Sequence, residues 1–289
     1  MSETELKLSV TESNLEAAHH WLMGQGAGSA GPPLSLRNRY FDTPDGRLNR
    51  ERVALRLRET GDQVIQTLKT GGHMQSGAMQ REEWEWTLSE PVLDLACLEQ
   101  TPLAGHPALD DLRHCFDTDF ERRVIDLSTT SPGGVATLIE CAIDRGVIRA
   151  NAAEAPLQEV ELELKSGDEQ ALSAVALEMV RSVPALVNSI SKAEQGYYLA
   201  GLHRLPESAE DALKAWMDRL CGAWQSNDPA LWPELLDRHH ALESRAKAVG
   251  CSELFERVSN GLETAAAREE SPRERLMTLP GLAALQLRL

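Results

Sequence analysis

The side chains of this chain that are able to do chemistry stand at alternate positions of short runs. Glu3, Glu5 and Lys7 share one parity, opposite Thr4, Leu6, Leu8 and Val10. Arg56 and Arg58 oppose Val53, Leu55 and Leu57, and Lys69 stands with Thr67 opposite Gln66 and Leu68. Arg81, Glu83 and Glu85 oppose Trp84 and Trp86, while Glu159, Glu161, Glu163 and Lys165 oppose Val160, Leu162 and Leu164. A strand sends successive side chains to opposite faces, so each set projects from one side. For one strand a solvated polar face explains this well. Five strands patterned alike suggest that the charged faces meet one another, because the apolar faces must themselves be covered.

Such strands close into a barrel whose interior holds side chains or one small ligand. Pointed inward, they gather Glu3, Glu5, Glu83, Glu140, Asp144, Glu159, Glu161 and Glu163 as acids. The bases are Lys7, Arg56, Arg58, Lys69, Arg81, Arg122 and Lys192. Enclosing unpaired ions costs several kcal/mol each, so stability alone does not account for them. Hard divalent cations take oxygen ligands, whereas Arg forks and Lys point charges match phosphate oxygens. Both sets in one cavity imply a metal–polyphosphate ligand.

The elements that must position these residues are read from periodicity and turn signals. Strands are expected at Glu3–Val10 and over 36–42, 52–59, 63–70, 81–88, 118–127, 136–149 and 157–165. Helical spacing predicts a helix from Glu12 to Met23, with Leu15, Ala18, His19 and Leu22 on one side. Further helices are expected over 169–180 and 193–202, with short helical connectors at Leu93–Leu95, Cys97–Leu98 and Ala108–His114. Pro206 breaks the pattern and Ser208 reads as an N-cap, which sets a boundary near 205. Beyond it the spacing is helical only. A length of 289 residues suits two domains, here 1–204 and 205–289.

Lys+Arg 29 against Asp+Glu 45 gives a formal charge of −16, which argues against a nucleic-acid or membrane-surface partner. No apolar run approaches membrane-span length and no signal peptide is visible. The five cysteines show no CxxC or zinc spacing, as suits free thiols in a reducing cytoplasm. Cys141 has the opposite parity to Glu140 and Asp144 and should face the outer core. Gly26 to Gly31 formally matches GxGxxG, but it follows a helix and Pro32-Pro33 bars another, so it reads as a loop. The adjacent His239 and His240 fall on different helix faces and make a poor metal site. Trp216, Trp224 and Trp232 are spaced as core residues.

Taken together, the motifs resemble the CYTH superfamily, the triphosphate tunnel metalloenzymes. Glu3-Thr4-Glu5-Leu6-Lys7 is similar to its opening ExExK signature. In family order follow Tyr40-Phe41-Asp42-Thr43, Leu55-Arg56-Leu57-Arg58, Thr67-Leu68-Lys69 and Arg81-Glu82-Glu83. Asp119 to Arg122, Glu140 to Gly146, Glu159 to Glu163 and Ser191-Lys192-Ala193 complete the set, which spans roughly residues 1–204. The resemblance implies an α+β fold: an eight-stranded antiparallel β-barrel tunnel with outer helices, followed by a small all-helical C-terminal region. It implies Mg²⁺ or Mn²⁺ on Glu3, Glu5, Glu161 and Glu163, with Asp144 a further candidate and Glu159 behind them. Lys7, Arg56, Arg58, Lys69, Arg122 and Lys192 would bind phosphate oxygens, and Arg81, also counted with the substrate-binding set, forms with Glu83 a wall pair that positions the others. Glu5, Lys7, Arg56, Arg58 and Glu83 are implied as the catalytic set.

A helical region after the tunnel domain, and the stretches Leu88 to Pro91 and Glu161 to Leu164, resemble the bacterial inorganic triphosphatases. The implied reaction is hydrolysis of inorganic triphosphate to pyrophosphate and phosphate. The alternatives are a class IV-type adenylyl cyclase, a thiamine or nucleoside triphosphatase, and a non-catalytic polyphosphate- or nucleotide-binding module. Two residues keep two readings each: Glu85 as tunnel-mouth or solvent-facing, and Asp144, just before Arg145-Gly146, as ligand or turn residue. The tail is short, net acidic and poor in histidine, unlike a full CHAD domain. It reads as a reduced CHAD-like remnant or as a dimerisation element of a homodimer.

Overall fold

The alternating runs become strands and the helical runs helices in the computed structural model of the chain. It describes residues 4–25, 31–70, 73–75, 78–80, 82–202 and 211–289. The strands are β1 (Glu5–Ser9), β2 (Leu34–Asp42), β3 (Ala54–Thr60), β4 (Gln63–Lys69), β5 (His73–Gln75) and β6 (Ala78–Gln80). They continue with β7 (Glu83–Leu88), β8 (Arg113–Thr130), β9 (Ala136–Ala150), β10 (Ala153–Ser166) and β11 (Leu186–Val187). The helices are α1 (Glu12–Met23), α2 (Arg47–Arg50), α3 (Gln170–Met179), α4 (Lys192–Leu199) and α5 (Ala212–Ser226). The chain ends in α6 (Trp232–His240), α7 (Glu243–Ala248), α8 (Ser252–Ala267), α9 (Pro272–Thr278) and α10 (Leu282–Gln286).

Nine strands form one antiparallel sheet in the order β11-β1-β10-β9-β8-β2-β3-β4-β7, and β5 with β6 makes a separate hairpin. The architecture is the one expected, with two differences. There is a ninth strand, and among the described residues β7 does not pair with β1 to complete a ring. The reason is local: β11 occupies the outer edge of β1, with Val187 opposite Leu8 and Leu186 opposite Ser9. The sheet nevertheless curves around a cavity of about 1,870 Å³, lined by residues from both β1 and β7.

The convex face supplies the main core. Leu8, Val10, Ile125, Leu127, Ile139, Cys141, Ile143, Val160 and Leu162 pack against Leu15, Ala18 and Leu22 of α1 and Leu172, Val175, Ala176 and Met179 of α3. Each large aliphatic side chain buried there contributes roughly 1.5–3 kcal/mol. Helix α1 starts where Thr11 Oγ1 accepts a hydrogen bond from the Asn14 amide. Cys141 is fully buried in this core, on the side its parity required.

Two glycines permit close approaches that shape the cavity wall. Gly146 pairs with Phe120 in mid-strand, and a Cβ there would lie 2.1 Å from the Asp119 carbonyl oxygen. Arg145-Gly146 is therefore a strand crossing, and the turn reading of Asp144 falls. Gly196 faces Phe116 so closely that a Cβ would lie 2.1 Å from its ring. This lets α4 lie directly on the sheet and brings Lys192, its first residue, into the cavity.

Helical connectors form at Leu95–Gln100 and Pro107–Asp111 as short 3-10 turns. The second stops before 113, because β8 begins there and runs for 18 residues, much longer than the 118–127 strand expected. The Ser208 cap and the 205 boundary lie outside the described residues. Helix α5 is capped by Asp211, whose side chain accepts from the Lys214 amide. Most of the glycine-rich loop, 26–30, also lies outside them, and a strand rather than a helix follows it. In the tail, Trp216, Trp224 and Trp232 are core residues, packed with Leu235, Phe255, Val258 and Leu262. No described helix is long and apolar enough to cross a membrane.

Candidate active site

The concave face of the sheet turns its charged parity inward. Glu5 and Lys7 from β1, Tyr40 from β2, Arg56 and Arg58 from β3 and Lys69 from β4 line the cavity. Glu83 and Glu85 from β7, Arg122 from β8, Glu161 and Glu163 from β10, and Lys192 from α4 also line it. Glu85 thus faces the cavity, where it accepts a hydrogen bond from Thr67 Oγ1 at 3.2 Å. Glu3 and Arg81 lie outside the described residues.

The deepest part is a five-membered ionic cluster. Asp144, fully buried in mid-β9, accepts from Arg122 Nε at 2.7 Å and Nη2 at 2.6 Å, the planar fork of a bidentate pair. Arg122 also reaches Glu161 at 2.5 Å. Lys192 Nζ lies 2.8 Å from Asp144, 2.5 Å from Glu159 and 2.9 Å from Glu161. The Phe120 ring lies beneath both cations, 5.7 Å from the Arg122 guanidinium and 5.5 Å from Lys192 Nζ. Asp144, Glu159 and Glu161 offer oxygens within 4.8 Å of one another, a grouping able to hold a metal ion. Here Lys192 sits among all three. The family resemblance puts Lys192 with the phosphate binders; the structure surrounds it with carboxylates.

Three acids against two bases leave one charge over, and a proton on Glu159 removes it. Burial, reinforced by the neighbouring Glu161, raises the Glu159 carboxyl to about 8 even though Lys192 opposes the shift. Burial also acts to raise Glu161, but Lys192 and Arg122 outweigh it and hold that carboxyl well below the usual range. Burial would lower Lys192, yet Glu159, Asp144 and Glu161 raise it well above an ordinary lysine. Below pH 4.5 both folded and unfolded chains keep the Glu159 proton. As pH rises toward 8 only the unfolded chain releases it, so this residue costs stability progressively. Glu159→Gln, a neutral isostere, should raise Tm by about 5 °C at pH 8 and leave it nearly unchanged at pH 4.5. Thermal melts across that range check this, and equal offsets at both ends would refute it.

The β2–β3 wall is the opposite in character. Arg56 Nε is buried without a partner, and neither Arg56 nor Arg58 has a carboxylate within 4 Å among the described residues. Arg58 donates to Asn38 Oδ1 at 2.7 Å, a neutral acceptor. Burial first, then the charges of Arg56 and Arg122, push the Arg58 guanidinium down to about 10. Burial would raise the Tyr40 phenol, but Arg56 and Arg58 outweigh it and its pKa is lowered. These arginines form a cationic wall in need of an anion.

Between the two lie paired residues. Glu5 contacts Lys7 at 2.8 Å, Lys69 contacts Glu83 at 2.9 Å, and Glu163 contacts Lys165 at 2.9 Å. Glu5 and Glu163 stand directly opposite each other in the β1–β10 ladder. The histidine pair of the tail takes no part: His239 is buried, stacked 4.3 Å from Phe255 and 2.8 Å from Ser259 Oγ, while His240 pairs with Glu263.

Comparison with known proteins follows the same lines. A CYTH domain model matches residues 1–197. The inorganic triphosphatase of Haemophilus influenzae is 32% identical over 200 residues, covering 65% of this chain and 51% of that protein. The chain therefore spans about half the length of the curated relative it matches. Among solved structures, HpAC1 from Hippeastrum, described as having a dominant triphosphatase activity, is 16% identical with a TM-score of 0.48. It covers 68% of this chain and 95% of its own. A solved inorganic triphosphatase is 23% identical over 60% of this chain and 79% of its own, with a TM-score of 0.24.

Proposed function

The chain belongs to the CYTH domain family, and from that premise we propose that it hydrolyses inorganic triphosphate to pyrophosphate and phosphate. The observation that carries this reading is the pair Arg56 and Arg58, half-buried with no carboxylate within 4 Å among the described residues, opposite a wall of glutamates. A partly desolvated, poorly compensated charge is costly, and a polyanion bound between them reduces the cost. Residues 1–204 supply this chemistry, and in the region 205–289 the described helices from Ala212 onward cover the edge of β11. The five free cysteines suit the reducing cytoplasm.

A divalent cation, Mg²⁺ or Mn²⁺, fits the carboxylates on the other wall. Like charges directly opposite on adjacent strands repel, as Glu5 and Glu163 do, and these two carboxylates would hold the cation. Their donor set is all oxygen, as these ions require, and Glu161 stands beside them. When bound, the ion neutralises phosphate charge and polarises water. Arg56 and Arg58 hold the phosphate oxygens and stabilise the charge that shifts onto pyrophosphate as its bond to the terminal phosphorus breaks, while Arg122, paired with Asp144 and Glu161, orients the carboxylates behind them. Lys69 extends this cationic surface toward β7. Glu83, held by Lys69, faces the same cavity as a member of the catalytic set. Lys7 and Lys192 keep the carboxylates in place.

The test is a panel of triphosphate, ATP, thiamine triphosphate and pyrophosphate with Mg²⁺ or Mn²⁺. Phosphate release should be fastest from triphosphate and be abolished by a chelator. Glu5→Gln should lower it at least about 100-fold with the fold intact. Cyclic AMP formation from ATP outpacing phosphate release, tight binding without turnover, or activity indifferent to chelator would overturn the proposal.

A further inference from the structure

The last helix packs on the main core through Ala283, Ala284 and Leu287, and its Gln286 side chain reaches β11 beside the active cavity. Gln286, buried in α10, accepts a hydrogen bond from the Val187 amide at 2.9 Å and donates to the Val187 carbonyl at 2.9 Å. Its amide thereby pairs with β11 as one more strand residue would, covering an edge otherwise open to another chain. The same Nε2 lies 3.3 Å from Met217 Sδ on α5, and Met217 lines the cavity. Also from α5, the Cys221 thiol contacts the Val187 carbonyl, and the Ser189 hydroxyl donates to Cys221 Sγ.

The segment so held stands between two parts of the site. On one side, β11 pairs with β1 at Leu8, and the Asn188 amide donates to the Lys7 carbonyl at 3.0 Å. Asn188 Nδ2 donates to Ser9 Oγ at 2.9 Å, so the strand bearing Glu5 and Lys7 is fixed at several points. On the other side the chain passes through Ser189 and Ile190 to Ser191. Ser191 caps α4 in a capping box with Glu194 and thereby directs Lys192 among its three carboxylates.

We propose that Gln286 is a positioning residue of the active site. By clamping Val187, the C-terminal helical region sets the relative placement of β1, which carries Glu5, and α4, which carries Lys192. The tail is thus a working part of the catalytic unit, placed where ring closure of the sheet would otherwise occur. This inference rests on the proposed metal-dependent function for its kinetic arm only.

The test compares the full chain with Gln286→Ala, and with Gln286→Glu, which keeps the acceptor for the Val187 amide. In Gln286→Ala, amide exchange should accelerate about tenfold or more over 187–192, while α8 stays as protected as in the parent. The Mg²⁺ concentration for half-maximal triphosphate turnover should rise about tenfold, the range seen when residues supporting metal ligands are removed. A mere loss of folded protein lowers the rate without moving that concentration. Gln286→Glu should fall between parent and alanine variant on both measures, and it serves alone if the alanine variant does not fold. Unchanged exchange at 187–192, or an unchanged Mg²⁺ requirement, overturns the proposal. A parent without turnover sinks the functional reading instead, and the exchange comparison then decides this one.

Discussion

Arg56→Met is expected to yield a protein that melts a few °C higher than the parent and has lost about 10²–10³-fold of its triphosphatase activity. Both effects come from one feature. The guanidinium stands beside Arg58 with its Nε unpartnered, and burial, reinforced by the charge of Arg56, brings Arg58 down to about 10. Methionine keeps the apolar stem and removes the charge, relieving the repulsion. Replacing poorly compensated buried ions by apolar groups is often neutral or stabilising. The same charge, aimed where phosphate charge develops, is worth about two to three orders of magnitude in rate. Thermal melts and steady-state phosphate release on the same preparation check both halves. A variant that melts far below the parent, or that retains turnover within tenfold, contradicts the assignment.

Lys192→Met should act in the opposite sense on stability. Without that ammonium, Arg122 is the one cation among the described residues still in contact with Asp144 and Glu161, and Glu159 keeps only the more distant Lys7. Removing one partner of a buried ionic cluster costs about 3–5 kcal/mol, because the remaining charges are left uncompensated. For a chain of this size that lowers Tm by roughly 10 °C. The contact with the Phe120 ring is lost as well. The loss should shrink toward pH 5, where uptake of protons by the carboxylates replaces the missing charge. Activity should fall with it, since Glu161 faces the cavity from the same cluster. Melting curves at pH 5 and pH 8 decide the point, and a pH-independent Tm difference would show that the cluster is not held by charge balance. Two cations of one cavity thus differ in kind: the first is stored for a ligand, the second is consumed by the fold.

That distinction marks how far the residues alone could be read. Parity was sufficient to place Glu5, Arg56, Lys69, Glu83 and Glu161 on one side of their strands, because the side-chain period of a strand is two whatever it pairs with. The same rule sent Cys141 to the outer core. Periodicity likewise gave α1 and the helical tail, where long amphipathic runs leave little choice. What parity cannot supply is the partner across space. Lys192 and Arg122 carry the same sign and the same inward direction as Arg56, yet the first two are saturated by carboxylates and the last is not. Pairing depends on distances between strands brought side by side, such as Arg122 opposite Asp144 in the β8–β9 ladder.

Strand length and closure were also decided at the tertiary level. β11 has two residues, too few for any periodicity, yet it takes the edge of β1 and leaves the sheet open. Its clamp, Gln286, lies 99 residues away along the chain and has no local signature. Sequence by itself thus determined which faces are charged, which are apolar and where the helices begin to dominate, because these follow from local covalent geometry and water's aversion to apolar surface. Only the folded chain decided which charges are spent on one another and which are left for a ligand, because Coulomb energies and desolvation depend on separations of a few ångströms that no local pattern encodes.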